Sequence, residues 1–95
     1  YLEANLNDLG YRYLRDKKYK KAIEIFKLNV ELFPHSSNVY DSLGEAYMLN
    51  GDKEPAIQNY QKSLKLNPDN TNAQKTLKKL KKMISETRWR TLLEI

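Results

Sequence analysis

Shifting the chain against itself by 34 residues brings Leu9 onto Leu43, Gly10 onto Gly44, Tyr13 onto Tyr47 and Ala22 onto Ala56. The same shift brings Ile23 onto Ile57, Leu32 onto Leu66 and Pro34 onto Pro68, with Phe26 meeting Tyr60 and Leu6 meeting Tyr40. Identities gathered at one offset, on small, aromatic and proline positions, mark an internal repeat. A unit this short cannot bury an apolar face by itself, so neighbouring units must stack.

Within each unit the apolar spacing is helical. Leu6, Leu9, Tyr13 and Leu14 recur at helical steps, as do Ile23, Phe26, Val30 and Phe33; the second unit repeats this with Tyr40, Leu43 and Tyr47, then Ile57, Tyr60 and Leu64. Asn50-Gly51-Asp52 reads as a helix end followed by a new start, and Asp16-Lys17-Lys18 fills the same place in the first unit. Pro34 and Pro68 close the second helices, after which Ser36, Ser37, Asp69 and Asn70 offer capping oxygens. Pro55 falls in the first turn after Asp52, where a missing N–H does no harm. Gly10 and Gly44 sit in helix interiors, where glycine costs about 1 kcal/mol against alanine. That cost is explained if a partner helix approaches too closely for a Cβ, with Ala22 and Ala56 facing it and Tyr13, Tyr47, Phe26 and Tyr60 filling the space between hairpins.

A third frame begins at Thr71, and only its first helix fits. Lys78 and Lys81 stand where glycine and tyrosine would, so the segment reads as a capping helix whose one apolar stripe is Ala73, Leu77, Leu80 and Ile84. The expected organisation is a hairpin over 3–36, a second over 37–70, a cap over 71–86 and an apolar, basic tail over 87–95. In an unbroken helix Trp89, Leu92 and Leu93 would point away from the cap's stripe. Either the helix breaks near Ser85–Thr87 and the tail folds back, or Trp89, Leu92 and Leu93 pack against another chain. Self-association through them is expected because two hairpins and a helix are close to the lower limit for an array.

Composition excludes several function classes. The 95 residues leave room for one small domain. Mean hydropathy is -0.80, and no apolar run approaches a membrane span. No signal peptide is read, which favours the cytoplasm, and the start at Tyr1 without a Met reads as a segment of something longer. Cysteine is absent and His35 is the single histidine, so disulfides, thiol nucleophiles and multi-histidine metal sites are not expected. His35 beside Ser36 and Ser37 lies in an inter-repeat turn where attack geometry is not held, so neither catalytic nor cofactor-binding residues are expected. The net charge of +5 is unevenly placed: residues 1–74 hold ten basic and ten acidic residues, whereas 75–95 hold seven basic and two acidic. A uniform basic field is excluded.

The series Leu6-x2-Leu9-Gly10-x2-Tyr13, Ala22, Phe26, Pro34 and its copy Tyr40-x2-Leu43-Gly44-x2-Tyr47, Ala56, Tyr60, Pro68 resemble the tetratricopeptide repeat over residues 3–70. Leu6 departs from a leading aromatic, and Asn29 and Ser63 from a usual alanine. The resemblance implies an all-α array of helical hairpins wound as a right-handed superhelix, and a non-catalytic scaffold for protein–protein interaction. In such arrays the first helix of each hairpin lines a concave groove. The repeat shift then sets Asn7, Asp41 and Lys75 in one row and Tyr11, Glu45 and Lys79 in the next, with Tyr11, Leu14, Asn38 and Met48 as contact surface. This is a bipolar groove for an extended or helical peptide; its plainer alternative is ion pairing between exposed helices, worth about 0–1 kcal/mol per pair. The family's carboxylate clamp would fall on Asn7, Tyr11, Ser42, Asn72 and Thr76, none of them cationic.

A looser resemblance, through Phe26-Lys27-Leu28-Asn29, Phe33-Pro34-His35-Ser36 and Tyr40–Tyr47, is to repeats appended to bacterial hydrolases of the serine β-lactamase and esterase type. It implies a second reading, an accessory module that stabilises or dimerises a larger protein. A third, nucleic-acid or membrane-surface binding by the lysine-rich helix, lacks an interleaved aromatic platform.

Overall fold

A computed structural model describes residues 2–94, apart from the side chains of Trp89 and Glu94. Five helices form among the described residues: α1 Glu3–Arg15, α2 Tyr19–Leu32, α3 Ser37–Leu49, α4 Lys53–Leu66 and α5 Thr71–Glu94. Each packs against the next in the chain, and α1 also touches α3. The all-α array of stacked hairpins is thus the observed fold, with dimensions of 51 × 30 × 18 Å.

The two hairpin turns are built alike. In the first, the amides of Asp16, Lys17 and Lys18 bond the carbonyls of Arg12, Leu14 and Tyr13; in the second, those of Asn50, Gly51 and Asp52 bond Ala46, Met48 and Tyr47. The residue that reverses the chain is left-handed in both, Gly51 at φ 89 and Lys17 at φ 60. Lysine carries a Cβ penalty of about 1 kcal/mol there, which glycine escapes.

Packing within each hairpin rests on a ring laid over a glycine. A Cβ on Gly10 would stand 2.5 Å from Phe26 Cζ and 2.7 Å from Cδ1, while one on Gly44 would meet the Tyr60 ring at 3.1 Å. Phe26 and Tyr60 are fully buried, as are Ala22 and Ala56 beside them. Leu14, Ile23, Leu43 and Ala46 complete the core around Phe26, and Ala73 and Leu80 of α5 complete the one around Tyr60.

Two polar residues at the alanine position also repeat their role. Asn29 Nδ2 donates to the Glu3 carbonyl at 3.1 Å, and Ser63 Oγ to the Ser37 carbonyl at 2.9 Å. Both tie the second helix of a hairpin to the first turn of its partner. Asn29 Oδ1, also buried, has no partner among the described residues. The capping role expected of Ser36 and Ser37 does not form, because their hydroxyls are spent elsewhere. Ser36 Oγ donates to Glu3 Oε1 at 2.5 Å, and Ser37 Oγ bonds Ser63. Asn70 does cap, accepting the Ala73 amide on Oδ1 at 3.2 Å.

α5 runs unbroken for 24 residues. Of the two alternatives for the tail, the break near Ser85–Thr87 does not occur; the helix continues, with Thr87 Oγ1 donating to the Met83 carbonyl and Thr91 Oγ1 to that of Thr87. Beyond Leu80 the helix is mostly exposed, with Leu92 at 63% and Leu93 at 82%.

Gly10→Ala forces a methyl into the Phe26 ring. Overpacking of this kind costs about 1–3 kcal/mol against a helix-propensity gain of about 1 kcal/mol. Urea unfolding should show a net loss of up to about 2 kcal/mol for Gly10→Ala and a change within about 1 kcal/mol for Gly44→Ala, whose neighbour needs to yield only slightly.

Candidate functional site: the concave face of α1, α3 and α5

The face where the groove is expected is held by side-chain hydrogen bonds between successive first helices. Ser42 Oγ on α3 donates to Asn7 Oδ1 on α1 at 2.7 Å. Asp41, the next residue, takes two amides from the start of α5: Asn70 Nδ2 on Oδ2 at 2.8 Å and Asn72 Nδ2 on Oδ1 at 3.2 Å. Asn70 Nδ2 also lies 3.1 Å from the buried Ser63 Oγ. The carboxylate of Asp41 is therefore fixed in place by neutral donors, where an ion pair to Lys75 was the plainer expectation.

Around Asp41 the surface opens into a polar depression of about 420 Å³ whose lining includes Ser37, Asn38, Asn67 and Asp69. Glu45 lies one helical turn further along α3, half-buried. The acidic pair acts on two nearby tyrosines. Tyr11 on α1 packs edge-on against Phe26, with ring centroids 5.3 Å apart. Its phenol is pushed up to about 12, first by burial and then by the carboxylates of Glu45 and Asp41, against a pull from Ser42. Tyr60, arriving from α4, is raised too, again by burial first and then by Asp41 and Glu45. Two phenols on different helices register the same negative potential.

The other residues of the expected groove divide into three groups. Asn38, Lys75 and Lys79 are exposed, as a contact surface requires. Met48 is half-buried against the α4–α5 core, leaving part of its side chain free. Leu14 is a correction: it is 8% exposed and belongs to the core around Phe26. Its place at the end of α1 turns it inward against Ile23, so it offers no groove surface. Ser42, Asn70 and Asn72 were absent from the expected site although they build its floor. Of the expected self-association residues, the Trp89 side chain lies outside the described ones, while Leu92 and Leu93 are exposed.

Residues 42–70 match the family model for the tetratricopeptide repeat. Among curated proteins, tetratricopeptide repeat protein 37 of Xenopus laevis is 33% identical over 60 residues, 63% of this chain and 4% of that protein. Anaphase-promoting complex subunit 6 of Dictyostelium discoideum is 27% identical over 67 residues, 70% of this chain and 8% of the relative. The chain thus spans less than a tenth of the length of these relatives. Among solved structures, the second tetratricopeptide domain of Spaghetti (RPAP3), bound to the HSP90 peptide SRMEEVD, superposes with a TM-score of 0.83 at 15% identity, covering 88% of this chain and 78% of that one. The Sgt2 tetratricopeptide domain of Aspergillus fumigatus gives 0.83 at 19% identity, covering 90% of this chain and 57% of the other. The fold is that of a tetratricopeptide helical-hairpin array.

A phenol whose folded value is raised keeps its proton longer than in the unfolded chain. The stability this adds is complete below the ordinary tyrosine value and is lost as pH rises through the folded one. Stability should therefore fall between pH 10 and about 12 on account of Tyr11. Tyr11→Phe should make that decline shallower in urea melts across the window, while Tyr60 keeps its own share.

Proposed function

We propose that the array is a non-catalytic protein-interaction scaffold whose concave face takes an extended or helical peptide from a protein partner. The observation that carries this reading is the Asp41–Glu45 face. Asp41 is already oriented by Asn70 and Asn72, so a cationic peptide group meets a carboxylate that need not be ordered on binding. Lys75 and Lys79 stand exposed on the neighbouring helix for an acidic group, and Tyr11 and Met48 supply apolar contact between them. The superposed structure that holds an HSP90 peptide supports a peptide in this class of groove. A chain-terminal carboxylate is a poor fit here, because Asn7 and Ser42 at two clamp positions are bonded to each other. An internal peptide segment carrying both charge signs is the better match.

Peptides selected from a displayed random library on the wild-type domain give the test. Glu45→Lys should weaken the selected binders by about tenfold or more, as expected when a close charge pair is reversed. Asp41→Lys should do the same in a variant shown by circular dichroism to keep its helices. An unchanged dissociation constant in both sinks the groove reading.

A second reading, an accessory module that dimerises or stabilises a larger protein of the hydrolase type, is favoured by one observation. Leu92 and Leu93 are exposed on a helix that outruns its packing partner. Truncation after Glu86 should then lower the mass seen by light scattering. Unchanged mass and unchanged melting remove this reading.

A further inference from the structure

The turn between α1 and α2 carries more positive charge than its construction needs: Arg12 and Arg15 suit the C-terminal turn of α1 and Lys21 lies over Tyr13, whereas Lys17, Lys18 and Lys20 have no such role. Residues 12–21 hold six cations, Arg12, Arg15, Lys17, Lys18, Lys20 and Lys21, against Asp16 alone. The equivalent stretch of the second hairpin, 46–55, holds Lys53 against Asp52 and Glu54. Both turns nonetheless close through the same backbone bonds at matching lengths: Lys18 to Tyr13 and Asp52 to Tyr47 are both 2.9 Å. The second turn is a built-in control, forming without a basic cluster.

The lysines also work against local stability. Lys17 holds a left-handed φ of 60 where its counterpart is Gly51. The first turn of α2 has no acidic residue, so Lys18, Lys20 and Lys21 crowd the end of a helix that favours negative charge. All six cations are exposed. Lys17, Lys18, Tyr19, Lys20, Lys21 and Asn50 surround an open depression of about 380 Å³. Arg12 and Arg15 line a separate depression together with Asp8 and with Tyr11 of the expected groove, so the basic run extends along α1 as far as a groove residue.

We propose that this collar docks an acidic polypeptide segment, a short run of Asp and Glu lying beside the portion of the partner held in the groove. In taking the partner to be a polypeptide it rests on the scaffold reading above. Chemistry of the collar favours that class. Lys21 Nζ lies 5.9 Å from the Tyr13 ring centre and Tyr19 is half-buried among the lysines, so the collar offers one partly covered ring and not the row of stacking platforms that a nucleic-acid strand uses. The depression's lining has no aliphatic side chain to enter a bilayer. Long, mobile ammonium groups suit a row of carboxylates.

Fluorescence anisotropy with a labelled short oligoglutamate, titrated at about 50 mM salt and again at about 200 mM, tests this on the whole chain. Removing three charges from the collar, Lys18→Gln with Lys20→Gln and Lys21→Gln, should weaken binding about tenfold or more. Removing three from α5, Lys78→Gln with Lys81→Gln and Lys82→Gln, should weaken it less than about threefold. Lys17→Gly should weaken binding and raise the melting temperature together, because it relieves the left-handed backbone. Equal losses in the two triple variants would show a net-charge effect and overturn the proposal, as would no binding by the wild type. Tighter binding of duplex DNA or of phosphatidylserine vesicles through the same lysines also overturns it, by assigning the collar another class of partner. The oligoglutamate probe does not require Glu45. A collar result with Glu45→Lys still defective on library peptides therefore separates failure here from failure of the groove.

Discussion

The closeness of the two helices in each hairpin governs everything else in this array. An aromatic ring can lie flat over a helix backbone only where that helix has no side chain, and Gly10 and Gly44 provide the two places. With Phe26 and Tyr60 seated there, the second helix of each hairpin comes near enough for Asn29 and Ser63 to reach the first turn of the partner. The same seating sets the edge contact of Tyr11 on Phe26, and with it the floor of the concave face. Where the third frame offers Lys78 in place of glycine, no ring can settle, and α5 packs by its Ala73–Leu80 stripe alone.

Charge on this molecule is arranged in alternation. An acidic patch at Asp41 and Glu45 lies on the central helix of the concave face, with the lysines of α5 to one side and the collar of the first turn to the other. Each sign has its own structural support. The acids are steadied by asparagine amides and their potential is felt by two buried-side phenols. The collar cations flank a turn whose backbone bonds also form, in the second hairpin, without a basic cluster. Under the proposed scaffold reading, such a surface would discriminate by pattern, since a partner of uniform charge would gain at one patch what it loses at the next.

Repetition made the helices, the hairpin turns and the glycine–aromatic contacts readable from the amino-acid order, because each was stated twice. What repetition does not state was harder to see. Asn29 and Ser63 read as departures from an alanine, yet they are buried ties; nothing in their spacing names a carbonyl as the target. Asn70 and Asn72 reach Asp41 from a loop and a helix start, a meeting that only the folded chain arranges. Leu14 belongs to the apolar series of α1, yet the groove implied by the resemblance also claimed it as contact surface; the core took it. The switch of apolar residues after Ile84 looked like a break, whereas two threonines satisfy themselves within a continuous helix. Charge misled through summation: ten basic and ten acidic residues cancel over 1–74 while six of the bases share one turn.

The length of α5 has a mechanical consequence. At 1.5 Å per residue its 24 residues extend about 36 Å, against about 20 Å for α1. Leu80 is the last residue of α5 that is fully packed, which leaves about 20 Å of helix as an arm beyond that pivot. A tilt of about five degrees at Leu80 moves the tip by nearly 2 Å, roughly the rise of one residue along a helix. Asn72 ties the root of this arm to Asp41, so the acidic residue and the fixed end of α5 share one anchor, on the far side of the Leu80 pivot from the exposed tip.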